Sequence, residues 1–314
     1  MTTNRRKFLS TGIGAGVAGL ALGAPAIVQA QSSQTFNWKM TSAYPKGSPF
    51  YMDGPGSATD LAKRIGEMSN GRLKIQVFGA GELIPAFEGF DAVRSGTVEM
   101  NHANSYFWTG KTFAAQYFTA VPFGLNYQGM NGWLYDGGGI DLWNEVYAPF
   151  GMVAMPCGNT GVQMTGWFKK KINSVADLKG LKMRIAGLGG EVMSRLGAIP
   201  QQIAGGDIYP ALEKGVIDAA EWVGPYDDEK LGFYKIAPYY YYPGWWEACS
   251  MYSMYVNIKE WEKLPKQYQE ALTSACAECN IDMMAEYDYK NPIALQSLIK
   301  NGVKLQSYST DIMK

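Results

Sequence analysis

Phe36-Asn37-Trp38-Lys39-Met40-Thr41-Ser42 alternates apolar and polar side chains, the period-two pattern of a half-buried strand. Residues 57–68 then change period: Leu61, Ile65 and Met68 fall on one side of a helix, with Lys63 and Arg64 outward. Leu73-Lys74-Ile75-Gln76-Val77-Phe78 is a second alternating strand, ended by Gly79-Ala80-Gly81, and residues 87–93 read as a short helix. Strand, helix, strand, helix is the grammar of an α/β lobe with a mainly parallel sheet.

The grammar returns further along. Residues 152–155, 162–168 and Leu181-Lys182-Met183-Arg184-Ile185 are short apolar strands. The third of these is followed by Gly187-Leu188-Gly189-Gly190 and a helix over 191–196. Residues 208–214 are helical, 251–256 alternate as a strand, 265–288 form a long helix and 303–308 a terminal strand. The aromatic run at 239–242 has the character of packing or edge-strand material. Two α/β lobes joined by crossing strands place ligands in the cleft between them.

The first thirty residues are of another kind. Arg5-Arg6-Lys7 precedes an uncharged stretch of Gly, Ala, Val, Leu and Ile that closes on Val28-Gln29-Ala30, small residues of the type read by a signal peptidase. The stretch is Gly-rich and broken by Pro25, a poor membrane span but a good export signal. Residues 1–30 are expected to be a twin-arginine-type signal peptide, which places the mature protein in the periplasm. The whole chain has 28 basic and 28 acidic side chains. Three basic residues and no acid leave with the signal, so the mature chain carries −3. A mildly acidic surface argues against nucleic acid or an anionic membrane as partner.

Several chemistries lack their parts. His102 is the only histidine, which leaves a Ser-His-Asp or Cys-His arrangement without local support and makes a packed histidine the simpler reading. Cys157, Cys249, Cys276 and Cys279 include one CxxC inside a helical pattern, with no second half-site for zinc, and read as buried thiols. Gly187-x-Gly189-Gly190 lacks the third spaced glycine of a dinucleotide fingerprint, and there is no Walker lysine.

What remains is a set of charged residues at apolar strand ends. Arg184 closes a strand just before a glycine turn; its planar fork calls for a carboxylate, either an internal acid or a ligand. Glu221-Trp222 and Trp245-Trp246-Glu247 each join a carboxylate to bulky aromatics. Brought together, the two acids would repel unless a cation lay between them. A carboxylate-only hydrolase or lyase using Glu221 and Glu247 is the enzymatic alternative.

Longer segments carry a resemblance. Asn159-Thr160-Gly161-Val162-Gln163-Met164, Lys182-Met183-Arg184, Pro200-Gln201-Gln202-Ile203-Ala204-Gly205-Gly206-Asp207, Glu221-Trp222-Val223-Gly224-Pro225-Tyr226-Asp227-Asp228 and Tyr239-Tyr240-Tyr241-Tyr242-Pro243-Gly244-Trp245-Trp246-Glu247 resemble one family. It comprises the substrate-binding proteins of tripartite ATP-independent periplasmic (TRAP) transporters, in particular the 2-oxo-acid-binding branch. The resemblance implies an α/β, two-lobed periplasmic substrate-binding fold with a long helix spanning both lobes. Lobe I would comprise 31–156 with part of 248–285, and lobe II 157–247 with part of 286–314.

It also implies a function: a non-enzymatic receptor that binds a small 2-oxo or 2-hydroxy monocarboxylate such as pyruvate with a metal ion and delivers it to membrane permease subunits. Arg184 would clamp the carboxylate. Gln163, Glu221, Glu247 and the Trp222 backbone would hold the ion, sodium or alternatively calcium. Gln163, Trp222, Tyr106 and Phe107 would touch the substrate, Phe107 standing where the family often has a second tyrosine. Members of the branch continue through C-terminal helices beyond the position of Lys314, so those helices are expected to be missing here, and with them part of the support for a homodimer.

Overall fold

The alternation at the head of the chain becomes β1 (Phe36–Ser42), with Phe36, Trp38 and Met40 turned inward. The computed structural model describes residues 34–52 and 54–314, so the export signal read at 1–30 lies outside the described residues. After β1 come α1 (Pro49–Met52), α2 (Ala58–Met68), β2 (Leu73–Phe78), α3 (Gly89–Ser95) and β3 (Met100–Asn104). The chain continues through α4 (Tyr127–Asn131), α5 (Gly139–Tyr147), β4 (Met152–Asn159), β5 (Gly166–Phe168), β6 (Lys182–Arg184) and α6 (Gly187–Arg195). Next are β7 (Ile199–Gln201), α7 (Gly205–Glu213), β8 (Ala219–Ala220), α8 (Pro225–Leu231) and β9 (Tyr239–Tyr242). Last come β10 (Met251–Asn257), α9 (Ile258–Lys263), α10 (Lys266–Lys300), β11 (Lys304–Ser307) and α11 (Thr310–Met313).

The strands form two sheets, one per lobe. The first has the order β2-β1-β3-β10-β4 and the second β11-β9-β5-β8-β6-β7. Within the first, β1 runs parallel to β2 and β3, the product of strand–helix–strand crossovers. The sheet as a whole is mixed, not mainly parallel. β10 returns from the second sheet, enters without a crossover helix, and so lies antiparallel to β3 and β4. In the second sheet β6 pairs parallel with β7 and β8, while β5 is antiparallel to β8 and β9.

Local chemistry explains where elements start. Ser57 caps α2, its hydroxyl accepting the Asp60 N–H at 3.3 Å, and Leu61 and Ile65 point into the core. Other boundaries moved. The strand expected over 162–168 shrinks to Gly166–Phe168, because the Gln163 and Met164 N–H groups bond to the loop carbonyls of Glu247 and Val223 instead of to a strand. The helix expected at 191–196 begins at Gly187, so the glycine run is its first turn. The tyrosines of β9 are not at an edge: β11 covers them on one side and β5 on the other. α10 runs 35 residues, past the expected end at 288 and through Pro292. It packs on β4 and α2 of the first lobe and on α8 beside the second. Among the described residues no helix is long and apolar enough to cross a membrane.

A buried node ties the second lobe together. Asp228 of α8 accepts from Trp167 Nε1 (2.9 Å), the Tyr240 hydroxyl (2.7 Å) and the Val223 N–H (3.2 Å). The Trp167 and Tyr240 rings stack at 3.8 Å between centroids. Replacing Asp228 with Ala strands these buried donors, so the variant should lose about 3 kcal/mol. At this chain length that corresponds to a fall of roughly 6–12 °C in Tm. A melting curve within about 1 °C of the parent's would show that the node does not stabilise the lobe.

Candidate functional site

Arg184 and Glu221 meet because their strands do. β6 and β8 run side by side and parallel, with Arg184 opposite Ala220, and the Glu221 N–H donates to the Arg184 carbonyl at 3.0 Å. Both side chains therefore emerge at the carboxyl ends of adjacent parallel strands, where open α/β sheets place their ligands. Arg184 is 1% exposed. Its Nη1 donates to the Glu221 carbonyl (2.9 Å) and to Glu221 Oε1, and its Nε donates to the Ile203 carbonyl (3.2 Å). The guanidinium lies 5.0 Å from the Trp222 ring centroid, a cation–π contact. Of the two partners open to Arg184 in the sequence, the internal acid is present and is Glu221.

Backbone bonds between loops bring in the other residues. The Gln163 N–H donates to the Glu247 carbonyl (3.2 Å), the Gly244 N–H to the Gln163 carbonyl (2.9 Å) and the Met164 N–H to the Val223 carbonyl (2.9 Å). These stitches hold the loops before β5, after β8 and after β9 edge to edge, so Gln163, Glu221, Trp222 and Glu247 share one neighbourhood. All four are buried.

The first lobe supplies the opposing wall. Tyr106 and Phe107 lie in the turn just after β3 and are buried. Tyr106 packs against Gly187 at the start of α6, so the lobes touch there. Phe107 lies 6.4 Å from Tyr44, ring to ring, and Tyr44 in turn meets Trp222 edge-on at 6.2 Å. Phe50 approaches Trp222 at 6.1 Å. Trp222 reaches this position only because residue 205 is a glycine; a Cβ there would stand 2.4 Å from its ring. Tyr44 was missed in the sequence. Its place two residues past the end of β1 was the available sign, since β1 is parallel to β3 and their carboxyl ends face the same cleft.

The electrostatics are those of an acid-rich, dry site. Burial pushes Glu221 up to about 7, opposed by Arg184 and by the Ala186 N–H at the start of α6, with Asp228 adding to the rise. Glu247 is raised further, first by burial and then by the Glu221 charge, while Ser250 and Arg184 favour its ionised form. Burial also raises Tyr106, and both glutamates add to that effect, which keeps its phenol protonated.

Three acceptor oxygens here have no hydrogen-bond donor among the described residues: Gln163 Oε1, Glu221 Oε2 and Glu247 Oε2. The Gln163 amide is oriented by Nε2, which donates to Thr160 Oγ1 at 3.2 Å, leaving the oxygen for another partner. Acceptors without donors are costly in a buried site, and oxygens of this kind suit a hard cation. Two carboxylates and an amide oxygen, with no His or Cys among them, form an oxygen-only set of the kind that suits such an ion.

Other expected features resolve into packing. His102 is fully buried in β3, 3.4 Å from Ser42 Oγ, and burial depresses it to about 4, so the ring is neutral. The four cysteines are buried and unpaired.

Comparison with known proteins shows the family. Over 319 residues the chain is 48% identical to the monocarboxylate 2-oxoacid-binding periplasmic protein of Nostoc sp., covering 99% of this chain and 85% of that one. A TRAP periplasmic solute-binding protein from Pseudoalteromonas atlantica, solved with bound sodium and pyruvate, superposes with a TM-score of 0.85 at 41% identity, covering 89% of this chain and 84% of that one. One from Colwellia psychrerythraea, solved with bound calcium and pyruvate, gives 0.85 at 43% identity, covering 89% and 85%. Residues 54–314 match the family described as bacterial extracellular solute-binding protein, family 7 (DctP). The protein belongs to that family of TRAP solute-binding proteins.

Proposed function

We propose that the protein is an extracytoplasmic solute receptor of a TRAP transporter: it captures a small 2-oxo or 2-hydroxy monocarboxylate, pyruvate-like, together with a metal ion and delivers it to a membrane permease. The observation that carries this reading is the trio of donor-less oxygens on Gln163, Glu221 and Glu247 beside the buried guanidinium of Arg184. The relatives support it, since the Nostoc protein is named for 2-oxo acids and the two solved structures hold pyruvate with sodium or calcium. On this reading the protein binds its ligand and does not transform it, so the hydrolase or lyase alternative through Glu221 and Glu247 is set aside. It works in the periplasm, reached by the twin-arginine route through residues 1–30. The two lobes divide near residue 156, with the crossing strand and helix shared between them.

Gln163, Glu221, Glu247 and the Trp222 backbone would hold the ion, which supplies a positive charge that the ligand's carboxylate and keto or hydroxyl oxygens share. Arg184 spends Nε and Nη1 on protein acceptors, so the ligand carboxylate would meet Nη2. Charge limits the ligand. Arg184 contributes +1, the glutamates −2 and a monocarboxylate −1; sodium then leaves −1 and calcium leaves zero. A second substrate carboxylate would have no compensating charge, which favours monocarboxylates. Tyr44, Tyr106, Phe107 and Trp222 exclude water, and the ion and guanidinium act more strongly for it.

Calorimetry or native mass spectrometry with short acids, in sodium and in calcium, tests the reading directly: a stoichiometric, unaltered acid is expected, and accumulation of a product would overturn it. Arg184→Lys keeps the charge but loses the fork and should weaken pyruvate binding about 10–100-fold. Arg184→Ala should abolish it; retained affinity would place the anion elsewhere. Glu247→Gln should weaken metal-dependent binding, with excess cation restoring part of it, and insensitivity to sodium and calcium alike would remove the ion from the site.

The acids also set a pH dependence. Glu221 rises from 4.5 to about 7 and Glu247 rises too, so between these values the metal-free folded protein holds more protons than the unfolded chain. Metal-free stability should therefore fall as pH rises through that window, whereas cation affinity, which requires the ionised forms, should rise. Melting curves from pH 5 to pH 8 with and without calcium and pyruvate check this; parallel trends in the two series would contradict it.

A further inference from the structure

Asn104, the last residue of β3, is fully buried and uses its entire amide. Its Oδ1 accepts from the Tyr44 hydroxyl. Its Nδ2 donates to Ser250 Oγ at 3.3 Å and to the Met251 carbonyl at 3.0 Å. Ser250 and Met251 are the point at which the chain leaves the loop carrying Glu247 and enters the first sheet as β10. The crossover is fixed on both sides: the Thr160 N–H donates to the Ser250 carbonyl (3.3 Å) and the Met251 N–H to the Thr119 carbonyl (3.1 Å).

The Asn104 Nδ2 donates and cannot accept, so Ser250 Oγ is the acceptor in that bond. Ser250 stands three residues after Glu247 on the same loop, and the Gln163 N–H bond to the Glu247 carbonyl (3.2 Å) and the Thr160 N–H bond to the Ser250 carbonyl (3.3 Å) fix the segment between them. The outer end of the chain is Tyr44, whose ring lies against Phe107 and Trp222 in the ligand cleft. One line of buried polar groups thus joins a wall of the cleft in the first lobe to the loop after β9 that carries Glu247. A surface tether would not serve this purpose, because its donors would exchange with water.

We propose that Asn104 is a positioning residue for cation ligation: it fixes the Ser250–Met251 crossover, and with it the Glu247 carboxylate, from the opposite lobe through Tyr44. The proposal rests on the receptor reading above and names the residues through which the first lobe controls an ion held by loops of the second. Asn104 itself touches neither ion nor acid. Metal ligands oriented by outer partners typically lose 10–100-fold in affinity when those partners are removed.

The test titrates calcium into the parent, Asn104→Ala, Ser250→Ala and Ser250→Thr at saturating pyruvate, and pyruvate at saturating calcium. Asn104→Ala and Ser250→Ala should each weaken calcium by about 10-fold or more, while pyruvate at saturating calcium stays within about two-fold. Ser250→Thr, which keeps the hydroxyl, should retain parental calcium affinity. If Asn104→Ala does not fold, the two Ser250 variants decide the matter. Parental calcium affinity in folded Asn104→Ala and Ser250→Ala would overturn the coupling alone. So would an equal loss of calcium and pyruvate that Ser250→Thr fails to rescue, since that is the mark of a merely structural role. A parent that binds neither calcium nor pyruvate would overturn the receptor reading, and this coupling with it.

Discussion

The structure turns on one buried ion pair, Arg184 with Glu221, at the ends of two parallel strands. Removing two charges from water costs more than their attraction returns unless every remaining donor and lone pair finds a partner. Arg184 is nearly satisfied: two carbonyls, one carboxylate oxygen and the face of Trp222 surround it. Glu221 is only half satisfied, and Glu247 adds a second buried acid that the single guanidinium cannot neutralise. The site therefore carries an excess of negative charge and of acceptor oxygens. A cation is the economical remedy, and an anion with its own oxygens can share that cation. Capture of an acid together with an ion follows from this imbalance rather than from any one residue.

Keeping such a site dry requires close packing, and the backbone makes room for it. Gly244 sits so near the Gln163 carbonyl that a Cβ would come within 2.5 Å, which lets the loops carrying Gln163 and Glu247 bond edge to edge. Gly205 does the same for Trp222. The aromatic side chains then come from both lobes, Trp222 from one and Tyr44, Phe50, Tyr106 and Phe107 from the other, so the wall is complete only when the lobes meet. α10 and the β4–β10 pair link the halves mechanically, and the line from Tyr44 through Asn104 and Ser250 links them chemically.

The sequence by itself determined a good deal. Period-two and helical spacing gave β1, α2 and β2 nearly residue for residue, because each has one face more buried than the other; β10 also lies where expected, though it is buried on both faces. Arg184, Glu221 and Glu247 stood out because a charge at the end of an apolar strand demands a partner. Tertiary structure decided what spacing cannot encode. It set the mixed direction of both sheets, which depends in the first on β10 returning from the other lobe and in the second on β5 lying antiparallel between β8 and β9. It shortened the strand before Phe168, because loop-to-loop bonds claimed Gln163 and Met164. It put the β9 tyrosines between two strands, since β11 arrives from the far end of the chain. It also chose Glu221 as the partner of Arg184, and brought Tyr44, Asn104 and Ser250 to the site from three separate segments. Local pattern records whether a side chain faces in or out; which distant group it meets there is fixed only when the sheets and loops are assembled, because hydrogen bonds and ion pairs act over a few ångströms of space and not along the chain.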